Sequence, residues 1–78
     1  MTDVRSMAFQ IVELALDAND KVVERKVVPY PYQSRQEAVD TIESVVARYA
    51  KFGYDPKQAF WWAIAENGDC RRFVIDGV

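Results

Sequence analysis

The chain has no histidine, and its 78 residues include one cysteine, three glycines and three prolines. Lack of histidine excludes hydrolase arrangements with an imidazole base, imidazole metal ligands and the commonest proton shuttle near neutral pH. A lone Cys70 excludes an intrachain disulfide and a cysteine-built metal site within one chain, and it reads as a small apolar filler beside a turn. Gly53, Gly68 and Gly77 stand singly, so they build no phosphate-cradling glycine loop. No run approaches the ~18 apolar residues of a membrane helix, and the start MTDVRSMAFQ has no basic segment leading into an apolar one. The expected compartment is a reducing cytoplasm, with no membrane association.

Positive charge is scarce too. Ten basic against twelve acidic residues give a formal charge of −2. Basic residues are never more than two in a row, as in Arg25 with Lys26 and Arg71 with Arg72. Binding through a phosphate backbone needs a basic field, which disfavours nucleic acid as a partner. The acids are spread over caps, turns and one helix face without marking a catalytic pair. No nucleophile, base and orienting group can be assembled, so the expectation is a protein that is not an enzyme and needs no cofactor or metal.

What remains is 50% hydrophobic, 13% aromatic and 28% charged, the composition of an ordinary folded domain. A chain of this length buries roughly 60 to 65% of its unfolded surface, which leaves a thin core in a single domain spanning residues 1–78.

The stretch MAFQIVELALDANDKVVERKVVPYPY mixes β-branched and aromatic residues with charge around a turn-rich DAND. It predicts a hairpin with strands from about Met7 to Leu16 and Lys21 to Val28, ended by Pro29. Pairing Glu13 with Arg25 and Ile11 with Val27 is sensible, but a register one residue away, with Leu14 opposite Val23, is nearly as good. The PYPY bend at 29–32 re-aims the chain. SRQE then marks a helix start, with Ser34 capping the Glu37 amide. Ala38, Val39, Ile42, Val45, Val46, Tyr49 and Phe52 recur at steps of three and four, predicting a helix from Arg35 to about Phe52 with Gly53 as its C′ residue.

Beyond YDP the segment KQAFWWAIAEN admits two readings. Asp55 could cap a second helix with Pro56 at its first position. The stretch has no helical stripe, however, and it is aromatic-rich and runs into Asn67-Gly68, the signal for a two-residue hairpin turn. The hairpin is the preferred reading. Hairpin, helix, hairpin then gives an α+β two-layer domain of order ββαββ, a four-stranded antiparallel sheet with one helix on one face.

A two-residue turn at Asn67-Gly68 pairs Trp62 with Phe73 and Trp61 with Val74. Phe60, Trp62, Ile64, Phe73 and Ile75 would then face the helix, leaving Trp61, Ala63, Arg72 and Val74 on a sheet face too apolar to be freely solvated. Arg72 would stack diagonally on Trp61. Tyr30 and Tyr32 either add aromatic surface or cover the sheet edge. The expected function is interaction, as a homodimer or with a protein partner, through the face around Trp61, Ala63, Arg72 and Val74, with Tyr30 and Tyr32 as further candidates. The alternative is a nucleic-acid-binding domain that stacks bases on Trp61, Tyr30 or Tyr32 with help from Arg25, Lys26 and Arg72.

Overall fold

A computed structural model describes residues 9–28 and 32–77. The elements in chain order are β1 (Phe9–Leu16), β2 (Val22–Val27), α1 (Arg35–Val46), β3 (Lys51–Asp55), β4 (Phe60–Ile64) and β5 (Cys70–Gly77). The α+β class and the antiparallel sheet with one helix are as expected, but the sheet has five strands in the spatial order β2-β1-β5-β4-β3, and the element order is ββαβββ. The unforeseen strand is β3.

The first hairpin closes on its DAND turn. Asp17 Oδ1 accepts hydrogen bonds from the Asn19 and Lys21 amides at 2.8 and 3.0 Å, and Asp20 takes a left-handed conformation with φ of 61°. Neither expected register holds. Val12 pairs with Val27, Glu13 with Lys26 and Leu14 with Arg25, and an irregularity between Ala15 and Leu16 then brings Val22 opposite Leu16. Such an extra residue on one strand is a β-bulge, which strand periodicity does not reveal.

Helix α1 begins as its sequence dictates. Ser34 is extended, and its hydroxyl accepts from the Glu37 amide at 3.1 Å. Ala38, Ile42 and Val46 are buried, while Val39, Val45 and Tyr49 pack against the core they form. The helix ends at Val46, capped by Ala47, not near Phe52, so Arg48 and Lys51 lie beyond it. Phe52 continues the three-and-four spacing yet sits on β3, 51% exposed. Pairing with β4 turns Lys51–Asp55 into a strand.

The 56–67 ambiguity resolves as a turn, the strand β4 and the start of a loop. Asp55 caps a tight turn, its Oδ1 accepting from the Lys57 and Gln58 amides at 2.9 and 3.2 Å. Ala59 then takes φ of 56°, and β4 runs back along β3.

The β4–β5 connection decides which side chains enter the core. The Gly68 amide donates to the Ala65 carbonyl, and the Ala65 amide to the Asp69 carbonyl, each at 2.9 Å. Glu66, Asn67 and Gly68 therefore form a three-residue loop, with Gly68 at φ of +94° and Asn67 Oδ1 accepting from the Asp69 amide. A two-residue type I′ turn needs positive φ at both central residues. Among the described non-glycine residues only Asp20 and Ala59 have it, and Asn67 does not. Trp61 consequently pairs with Phe73 and Trp62 with Arg72, one residue off the expected register. Because strand side chains alternate, that slip exchanges the two faces of β4.

Candidate functional site

The helix lies over β1, β5, β4 and β3. Beneath it are Ile11, Trp61, Ala63 and Phe73, all buried, with the Tyr54 ring tilted at 45° to Trp61 at a centroid separation of 4.5 Å. Trp61 is 6% exposed and Ala63 is fully buried, which corrects their expected place on the uncovered face. Tyr32 is likewise a core residue. Its backbone exchanges two 2.8 Å hydrogen bonds with Phe9, and its side chain belongs to the core cluster that includes Ile42 and Phe73. Tyr30 lies outside the described residues.

The uncovered face reads as rows across the sheet, because directly paired residues share a side. One row is Val27, Val12 and Val74; the next is Arg25, Leu14, Arg72, Trp62 and Gly53; the third is Val22, Leu16, Cys70, Ile64 and Lys51. Arg72 and Val74 are thus where the sequence placed them. Trp62, Phe60 and Ile64 take the positions expected for Trp61 and its neighbours. The signal that could have found them is the loop length: an Ala-Glu-Asn-Gly-Asp segment also suits a type I turn followed by a left-handed glycine.

Apolar residues dominate this side, and they support one another. Val12 and Leu16, on the side away from α1, are 5% and 9% exposed. The Arg72 guanidinium carbon lies 4.7 Å from the Phe60 ring centroid, not on Trp61, an arrangement favoured by the ring's negative face. Trp62 lies across Gly53. A Cβ built on that glycine would meet the indole Cζ2 at 2.5 Å and Cε2 at 2.7 Å, so the indole occupies the space a side chain would need. Beside Trp62 a shallow hollow of about 210 Å³ is lined by Leu16, Phe60, Ile64, Cys70 and Arg72.

The face therefore combines a hydrophobic floor, a partly exposed tryptophan, a hollow sized for one or two side chains, and two arginines in one row. Arg71 points to the opposite side, 3.9 Å from Glu13. No group of three or more histidine, cysteine or acidic residues that could hold a metal occurs among the described residues, and no helix among them is long and apolar enough to cross a membrane. Compared with known protein families, curated proteins and solved structures, the chain matches none.

Proposed function

We propose that this is a non-enzymatic protein-interaction domain that docks a partner protein on the sheet face opposite α1. The observation that carries the reading is the row Arg25, Leu14, Arg72, Trp62 and Gly53, in which a tryptophan and two cations stand on an apolar sheet face that no other described element covers. Tryptophan and arginine are the residues most enriched at the energetic centres of interfaces, and apolar surface of this kind gains by leaving water. In a chain of net charge −2, two arginines in the central row define the partner's chemistry as an apolar surface that brings carboxylates opposite Arg25 and Arg72. A single free cysteine, Cys70, suits a reducing cytoplasm as the compartment.

Two face variants, Ile64→Lys and Arg72→Glu, test this against wild type and against Lys26→Glu, which lies off the face. Partners captured from cells that make the protein are re-bound as purified components. The reading requires a protein that binds wild type and Lys26→Glu but neither face variant; equal binding to all four chains refutes it. Single-stranded nucleic acid is the competing ligand for an aromatic sheet with arginines. Steeply salt-dependent quenching of tryptophan fluorescence by oligonucleotides, lost in Arg72→Glu, would replace the protein reading with that one.

A further inference from the structure

We propose that two copies of the chain pair along their β3 edges, joining their sheets into one with the dyad at Gly53. Strand β3 is the outermost strand on one side and reads Lys51-Phe52-Gly53-Tyr54-Asp55. Antiparallel pairing of this segment with its own copy about Gly53 sets Lys51 opposite Asp55 and Phe52 opposite Tyr54, each twice. Charge meets opposite charge and aromatic meets aromatic at every position, and the one residue that must face itself is a glycine. Residues an even number apart share a strand face, so a dyad perpendicular to the sheet brings like faces together.

The surroundings of β3 fit this occupant. Phe52 and Tyr54 are 51% and 43% exposed although they lie on the helix side, at the outermost strand of the sheet. They border a groove with Glu43, Val46 and Trp61. The partner copy's Phe52 and Tyr54 would extend that apolar lining and remove all four rings from water. The other edge has the opposite character. In β2 all six residues are exposed, the middle is the charged run Glu24-Arg25-Lys26, and the strand carries the bulge between Val22 and Glu24. Charges and bulges of this kind are how proteins block edge pairing. Pairing at β3 also places two uncovered faces on the same side of the joined sheet, with a Trp62 on each side of the dyad, so the assembly presents the surface of the proposed interaction twice.

Disulfide trapping tests the register. In a Cys70→Ala background, a Phe52→Cys chain is mixed with a Tyr54→Cys chain under mild oxidation, with folding checked by circular dichroism. Directly opposite Cβ atoms lie about 4.5–5.5 Å apart, so the mixture should cross-link at least about tenfold faster than either chain alone. Sedimentation equilibrium of the unmodified chain should show a dimer that Lys51→Glu weakens by about tenfold, since it converts two attractive pairs into repulsive ones. A wild-type chain that stays monomeric at every concentration overturns the proposal, as does trapping with no preference for the mixture, or trapping through Val23→Cys and Val27→Cys on β2. Because Phe52 and Tyr54 lie on the helix side, failure here leaves the reading of the uncovered face standing, and failure of that reading leaves this one standing.

Discussion

The Trp62 indole lies against Gly53 on the neighbouring strand, close enough that a Cβ there would sit 2.5 Å from Cζ2. A glycine inside a strand weakens it by leaving backbone uncovered, and an aromatic ring over it restores that cover. Gly53→Ala should therefore destabilise the fold by about 1–3 kcal/mol, the usual range for forcing an extra carbon into occupied space. In a Trp62→Ala chain the same substitution should cost nothing or stabilise slightly. Chemical denaturation of the four chains in a double-mutant cycle measures the coupling, and additive effects would show that the two residues do not touch.

The two tryptophans should differ sharply under truncation. Trp61→Ala removes a ring buried against Phe73 and the helix and should cost about 3–5 kcal/mol, a large part of the stability of so small a domain. Trp62→Ala removes a half-buried ring and should cost about 1–2 kcal/mol, in proportion to its smaller buried area. Denaturant midpoints in the reverse order would restore the register of a two-residue turn.

Two left-handed positions have opposite residues in them and should respond in opposite directions. Ala59 holds φ of 56° with a side chain that disfavours it, so Ala59→Gly should stabilise by up to about 1 kcal/mol. Gly68, at φ of +94°, has free space around it, yet Gly68→Ala should destabilise by about 1 kcal/mol through backbone strain alone. Thermal unfolding of both variants checks the pair.

Much of the fold was legible where one local signal had one structural meaning. Ser34 and Glu37 announced the start of α1, the Ala38, Ile42 and Val46 stripe its buried face, and the DAND cluster the first turn. Strand β3 was hidden because Tyr49 and Phe52 prolong the helical spacing, so Lys51–Asp55 read as a helix tail with Gly53 as its stop. Only the cross-strand partner, Trp62, reveals why a glycine is there, and that contact joins residues nine apart through a turn. The face assignment failed on a single residue of loop length. Asn67-Gly68 suits both a two-residue turn and the end of a three-residue loop, and strand alternation turned that small ambiguity into an exchange of Trp61 for Trp62. Arg72 and Val74, on β5, kept their side because the alternation within that strand was read correctly. For Tyr32 the sequence left surface display and edge cover both open, because what buries it is pairing with Phe9, a contact across more than twenty residues.

Acrylamide quenching of a Trp61→Phe chain, whose only tryptophan is Trp62, reads out whether a partner protein docks on the face displaying that residue. Trp62 should be quenched efficiently in the free protein and strongly protected once the partner recovered with wild type is bound. Quenching that is equally efficient in the complex would place the partner elsewhere and contradict docking on this face.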